Sequence, residues 1–208
     1  MNPPAPLVCV VDDDASVRKS LVRLFRSEGL VAEAFASARG YLDRPAPDGP
    51  SCLVLDVQMP ELTGLDLQRA LAESGRGEQV IFITGNGDIP MCAQAMKAGA
   101  VDFLPKPFDD AELLAAVHRA LVRSADQQRD QAGRREARER VAKLTPRELQ
   151  VFDRVIAGKL NKQIAAELGT ALKTVKCQRG RMMEKLGVVS VAELIRLAQQ
   201  AGVAPPRS

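Results

Sequence analysis

Residues 7–28, LVCVVDDDASVRKSLVRLFRSE, change their period midway. Leu7–Val11 is an unbroken apolar run, as a strand buried on both faces requires, whereas Val17, Leu21, Leu24 and Phe25 recur at helical spacing over Ala15–Glu28. Three aspartates stand at the junction, and Asp14 reads as the cap of the helix, where acids are favoured. The same alternation continues outward. Further strands are predicted at Leu30–Phe35, Ser51–Leu55, Val80–Thr84 and Val101–Leu104, with helices at Leu65–Ser74, Ile89–Ala98 and Asp109–Val122. Five strands alternating with helices predict an α/β, doubly wound, five-stranded parallel sheet covered on both faces. Ligands of such sheets lie beyond the carboxyl ends of the strands, so any chemistry should follow Val11, Leu55, Thr84 and Leu104.

Beyond this region the chain changes character. Residues 1–123 hold 12 Lys/Arg against 17 Asp/Glu, and residues 124–208 hold 17 against 9. An acidic half and a basic half suggest two tasks, the basic one either nucleic-acid binding or mere solubility. From Ser124 to Ala142 the composition is Asp, Gln, Arg, Glu and Ala, which predicts a charged, mostly helical linker weakened at Gly133. Thr145, Pro146 and Glu148 then mark a helix start with a capping box, and Leu144 and Leu149 are spaced as a hydrophobic staple. That helix runs through Ile156 to a stop at Gly158. Helices follow over Lys162–Leu168, Leu172–Leu186 and Val191–Gln200, separated at Gly169 and Gly187, and Val203–Ser208 should fray. Two short helices meeting at Gly169 inside an all-α four-helix unit have the outline of a helix-turn-helix.

Composition excludes several classes. At 208 residues the chain allows one large domain or two small ones. Nothing approaches the ~20 apolar residues of a membrane span, and Met1–Pro6 lacks the pattern of a secretory signal, so a soluble cytoplasmic protein without membrane contact is expected. Cys9, Cys52, Cys92 and Cys177 form no CxxC pair, which suits reduced thiols. His118 is the only histidine; it excludes a multi-histidine zinc site, and a Ser-His-Asp triad would have to be built on it.

The strand ends carry the chemistry. Asp12 and Asp13, Asp56, Thr84 and Lys106 stand at or beyond the ends of different strands, so the predicted fold converges them on one edge of the sheet. Three carboxylates packed together repel one another and favour a divalent cation; Mg2+ suits an all-oxygen site that retains water. A single strand-end aspartate is commonplace, and Asp12–Asp14 alone would fit a helix N-terminus. The coincidence of five residues decides for a site.

VVDDD (Val10–Asp14), LVLDVQMPELTGLDL (Leu53–Leu67), VIFITGNGD (Val80–Asp88) and AVDFLPKPF (Ala100–Phe108) make residues 5–123 resemble the receiver domain of bacterial two-component response regulators, a flavodoxin-like fold. The resemblance implies that Asp56 accepts a phosphoryl group from a sensor histidine kinase. It also implies Mg2+ held by Asp13, Asp56 and the backbone carbonyl of Gln58, with Asp12 acting through water. A carboxylate attacks phosphorus poorly unless charge on the donor is neutralised, which the cation and the Lys106 ammonium supply. Phosphorylation adds a charge near −2. Lys106 and the Thr84 hydroxyl would each bind a phosphoryl oxygen, and Thr84 moving inward would leave space for Phe103 to rotate; Phe103 is otherwise a plain core aromatic. By the same analogy the Lys106–Pro107 peptide is cis and holds the lysine at the site. The implied activity is self-catalysed phosphoryl transfer with slow autodephosphorylation, not turnover of a separate substrate. Two rival phosphate chemistries fail on spacing. A haloacid-dehalogenase-like phosphatase wants a second aspartate where Gln58 stands, and Gly85-Asn86-Gly87 lacks the following Gly-Lys-Ser/Thr, so it reads as a switch loop with Asp88 capping the next helix.

LTPRELQVFDRVIAGKLNKQIAAELGTALKTVKCQRGRMMEKLGVVSVAELIRLA (Leu144–Ala198) resembles the LuxR-type helix-turn-helix, and the whole chain is similar to the FixJ branch of response regulators. On the third helix of this segment Val175, Met182 and Leu186 share the core-facing spacing, leaving Lys173, Lys176, Cys177, Gly180 and Arg181 outside. Gly180 costs roughly 1 kcal/mol of helix stability but lets the helix lie close to a groove floor. Lys176 and Cys177 are placed to meet base edges, and Lys173, Thr174, Arg179 and Arg181 to contact phosphates. The family pattern is departed from at Ala171 and Leu160, where helix caps are usual, and at Gln178 and Asn86, where His is common; Thr170 is a substitute cap. Val191, Leu194, Ile195, Leu197 and Ala198 give the last helix more apolar surface than one face needs, suggesting a two-fold interface. The resemblance implies a homodimer on phosphorylation, formed through Ile89–Ala98 and Val101–Leu104. Such a dimer would bind double-stranded promoter DNA at half-sites roughly one helical turn apart, with RNA polymerase as a further partner. An acylphosphate-turnover enzyme with an incidental basic tail and a constitutive DNA binder with a vestigial receiver are the alternatives.

Overall fold

Five short apolar runs become the strands β1 (Leu7–Val11), β2 (Val31–Phe35), β3 (Ser51–Asp56), β4 (Gln79–Thr84) and β5 (Asp102–Pro105). They pair in parallel in the order β2-β1-β3-β4-β5, with Leu7 opposite Val31 on one side and Ser51 on the other. A computed structural model describes residues 4–85 and 89–204. Asn86, Gly87 and Asp88, the expected switch loop and helix cap, lie outside the described residues, as do 205–208 of the tail.

Helices cover both faces, as parallel strands require. On one face Val8, Val10, Cys52, Val54, Ile81 and Ile83 pack with Leu21 and Phe25 of α1 (Ala15–Ser27) and with Leu113, Ala116 and Val117 of α5 (Asp110–Ala142). On the other, Cys9, Val11, Leu53, Leu55 and Phe82 meet α2 (Ala38–Leu42), α3 (Gly64–Glu73) and α4 (Ile89–Lys97). The central strands β3 and β4 are buried along their whole length. The edge strands are not: β2 leaves Val31 49% exposed, and β5 buries only Leu104. The expectation that all five would be buried fails there because an edge strand is covered from one side only.

Local chemistry sets the element ends. Asp14 caps α1 by accepting from the Ser16 N–H at 2.7 Å, as expected. Sequence patterning missed α2, whose five residues are too few to show a period; Ser37 caps it and Tyr41 anchors it in the core. The α3 capping box, Thr63 with Asp66, was likewise unread. The Lys106–Pro107 peptide is cis.

The chain divides into two compact units, Met1–Gln128 and Arg129–Ser208. Residues 124–142 continue α5 without a break through Gly133. Polar side chains bind its middle to the first unit: Ser124 Oγ accepts from Ser51 N–H at 3.0 Å, Gln79 donates to Gln127 at 2.8 Å and Gln128 donates to the Gly49 carbonyl at 2.8 Å. Farther on, Ala137 is buried in the second unit and Arg140 donates to the Leu186 carbonyl, so this end of α5 is a packing element as well as a connector.

In the second unit α6 (Pro146–Ile156), α7 (Asn161–Glu167), α8 (Leu172–Leu186) and α9 (Val191–Ala201) enclose Val151, Phe152, Ile164, Val175, Met182, Leu186 and Leu194. The Thr145–Glu148 capping box opens α6, Leu144 packs onto the core and Leu149 stays 39% exposed. Gly169 turns the chain between α7 and α8 at φ +59°, a conformation that L side chains resist. Thr170 does not cap α8; neither Leu160 at α7 nor Ala171 at α8 makes a side-chain cap. The expected apolar surplus on α9 reduces to Ile195, 36% exposed, because Leu194, Leu197 and Ala198 are consumed by the core.

Between Ser124 and Ala137 helix α5 buries no side chain, and nothing lies within 4 Å of where a Cβ would stand at Gly133. Gly133→Ala should therefore stabilise this stretch by about 0.5–1 kcal/mol, seen as slower amide exchange across residues 129–137. Unchanged exchange would contradict it.

Candidate functional site

Parallel pairing brings the carboxyl ends of all the strands to one edge, and the acidic residues follow. Asp12 and Asp13 leave β1, Asp56 ends β3, Thr84 ends β4 and Lys106 follows β5. Asp12 and Asp56 are buried, Asp13 is exposed, and each offers an oxygen within 4.8 Å of the others. This is the only such group of acidic, Cys or His side chains among the described residues. Lys106 Nζ lies 2.7 Å from Asp12 and 3.6 Å from Asp56. Its backbone N–H donates to the Thr84 carbonyl at 2.6 Å, tying the β5 exit to the end of β4. Thr84 itself is fully buried.

The electrostatics are unbalanced. Three carboxylates face one ammonium, and Asp56 Oδ1 is buried without a hydrogen-bond partner. Burial pushes the Asp56 carboxyl above its ordinary range, Asp12 and Asp13 push the same way, and Lys106 and the Gln58 N–H oppose them. An orphaned buried oxygen beside two further carboxylates, all hard donors, fits a divalent oxygen-seeking cation. Phe103 is half-buried, its ring 6.2 Å from that of Phe82 and tilted by 45°.

Two supporting residues escaped the sequence reading. Arg18 Nη1 donates to the Asp12 carbonyl at 2.7 Å and fixes the β1 exit; its place one helical turn after Asp14 is the signal that was available. Gly64 donates to the Val57 carbonyl at 2.9 Å, and a Cβ there would collide with the Asp56 carbonyl oxygen. Only the meeting of α3 with β3 reveals that. The lone His118 is exposed on α5, and the buried thiols are held protonated, Cys9 pushed up to about 11 and Cys52 likewise raised.

The second unit presents a different surface. On α8, Lys173, Thr174, Lys176, Cys177, Gly180 and Arg181 are exposed while Val175, Met182 and Leu186 are fully buried. Arg179, expected to contact phosphate, is half-buried and donates to Asn161 Oδ1 of α7 at 2.8 Å. Gln178 is also half-buried, its Oε1 buried without a partner. Glu148 is pulled down to about 2 by Lys185, 2.8 Å away, and by the Thr145 cap.

Comparison with known proteins agrees with both surfaces. Residues 8–118 match the response regulator receiver domain, and residues 142–198 match the bacterial regulatory proteins of the luxR family. Nodulation protein W of Bradyrhizobium diazoefficiens is 51% identical over 95% of this chain and 87% of its own length. The transcriptional regulatory protein FixJ of Azorhizobium caulinodans is 46% identical over 95% and 94%. The solved structure of response regulator StyR covers 95% of this chain and 100% of its own at 44% identity, with a TM-score of 0.85. The chain belongs to the response regulators that join a receiver domain to a LuxR-type DNA-binding domain. A kinase and DNA are the partners that this pairing of domains implies. No helix among the described residues is long and apolar enough to cross a membrane.

Gly64→Ala should force the β3 exit outward and cost about 1–3 kcal/mol as overpacking, measured by denaturant unfolding; an unmoved midpoint would refute the close approach. Because the Glu148 carboxyl is held below its ordinary 4.5, its contribution to stability is complete above about 4.5 and is lost as the pH falls toward 2. Acid titration of the α-helical signal should show this limb, and Glu148→Gln should remove its share of it.

Proposed function

We propose that the chain is a phosphorylation-switched transcription regulator of the cytoplasm, with a receiver over residues 1–123, a helical linker over 124–142 and a DNA-binding domain over 143–208. Asp56 is the phosphoacceptor. The observation carrying this reading is its buried Oδ1, without a hydrogen-bond partner and 3.6 Å from Lys106, beside two other carboxylates.

Asp12, Asp13, Asp56 and the Gln58 carbonyl would hold Mg2+. When bound, the cation offsets the negative charge of the phosphoryl oxygens. The remaining work falls to the chain. An Asp56 carboxylate oxygen forms the bond to phosphorus as the bond to the histidine nitrogen of a sensor kinase breaks, and the bonding pair stays with that nitrogen. Lys106, released from its share of Asp12, binds one phosphoryl oxygen and the Thr84 hydroxyl another. The new charge of about −1.5 to −2 favours the state in which both side chains turn to it, and Phe103, whose ring lies 6.2 Å from that of Phe82, rotates into the space behind Thr84. Slow autodephosphorylation resets the site.

The phosphorylated receiver would pair with a second copy through α4 and β5, where Ile89 and Met96 are exposed. The homodimer would then place α8 on promoter DNA, with Lys176 and Cys177 toward base edges and Lys173, Thr174 and Arg181 toward phosphates. Gly180 leaves room for close approach, and RNA polymerase would be met there. Exposure of these α8 residues on one unit, and the names "transcriptional regulatory protein" and "response regulator" carried by relatives, support the reading.

Acetyl phosphate with Mg2+ should add one phosphoryl mass to the chain, EDTA should prevent it, and Asp56→Asn should abolish it. Full labelling of that variant would assign the acceptor elsewhere.

A further inference from the structure

Helix α7 is anchored in the core by Ile164 and Ala165, and at its start the Gln163 side chain accepts from the Leu160 N–H at 2.8 Å. It is seven residues long, and its N-cap, Leu160, provides no side-chain cap. Helices this short are not stable by propensity, so tertiary tethers must place it. Its C-terminal end is tied toward α6, since Glu167 takes hydrogen bonds from Arg154, at 3.0 Å, and from Lys159. The N-terminal end is tied to α8 by Arg179, whose Nη1 donates to Asn161 Oδ1 at 2.8 Å.

The spacing on α8 explains why Arg179 is available. Val175, Arg179, Met182 and Leu186 fall on one stripe, separated by four, three and four residues, and the three apolar members are fully buried. Arg179 therefore sits on the core-facing stripe where it passes under the start of α7, while the exposed cations Lys173, Lys176 and Arg181 lie on the rest of the surface.

We infer that Arg179 is a positioning residue, a strut to Asn161 that sets α7 against α8, rather than a contact to the DNA backbone. The inference rests on the reading of this unit as a DNA binder. The strut's partner is a neutral amide, so its hold is nearly independent of salt, whereas a phosphate contact releases counterions when formed.

The test uses the full chain, a duplex that this chain selects from a random pool, and a scrambled duplex of equal length. Arg179→Ala, Arg179→Lys and Asn161→Ala should each reduce the preference for the selected duplex by about tenfold, the scale of one hydrogen bond to a charged group. Binding to the scrambled duplex and the salt dependence should stay unchanged, and Arg179→Ala with Asn161→Ala together should be no worse than either alone. In the DNA-free chain all three variants should speed amide exchange over residues 161–168. The strut is overturned if Arg179→Ala weakens both duplexes alike and lowers the salt slope by about 1 while Arg179→Lys restores both. It is equally overturned if Asn161→Ala leaves exchange in α7 unmoved. Should the unaltered chain select no duplex, the DNA-binding reading fails, and amide exchange alone decides the strut.

Discussion

Mutual repulsion of Asp12, Asp13 and Asp56, gathered at one edge of a parallel sheet with a single ammonium among them, is the constraint on which this molecule turns. Carboxylates brought this close, two of them buried, raise the free energy of the folded chain unless a cation joins them. The fold sustains the arrangement because the strands that deliver it are buried in an apolar sheet packed on both faces. Stability is thus made in the core and spent at the strand ends, where the charge imbalance can do chemical work.

The surroundings of the three acids restrict where they can go. Arg18 holds the β1 exit through the Asp12 carbonyl, the Lys106 N–H links β5 to β4, and Gly64 lets α3 begin against the Asp56 main chain. Each is a backbone-level restraint, so the acidic side chains keep their separation without having to satisfy one another. Lys106 divides its charge between Asp12, at 2.7 Å, and Asp56, at 3.6 Å.

The second unit solves another problem, that of holding short helices in a fixed relation. Both α7 and α8 begin without side-chain caps. Compensation comes from cross-helix tethers: Lys185 to Glu148, Arg154 and Lys159 to Glu167, and Arg179 to Asn161. Charged and amide groups here act on geometry more than on net stability, since partly exposed ion pairs are each worth little. The outer face of α8 is left with its cations uncommitted.

Fold class, the parallel sheet, the strand ends bearing Asp12, Asp13, Asp56, Thr84 and Lys106, and the four helices α6 to α9 were legible because period and capping are local properties of the chain. Helix α2 was not legible, being too short to show a period. Nor was the half-exposure of β2 and β5, which depends on strand order and so on pairing distant in sequence. The same holds for Gly64, whose role exists only where α3 meets β3, and for Arg179. Its position on the basic helix placed that residue among the expected phosphate contacts, yet contact with α7 gives it a neutral partner. The chain by itself thus determined which residues reach the sheet edge and which helix is basic. Tertiary packing alone decided which polar groups are buried, which are left without partners and which are already engaged, because those properties belong to the space between elements and not to any element's own sequence.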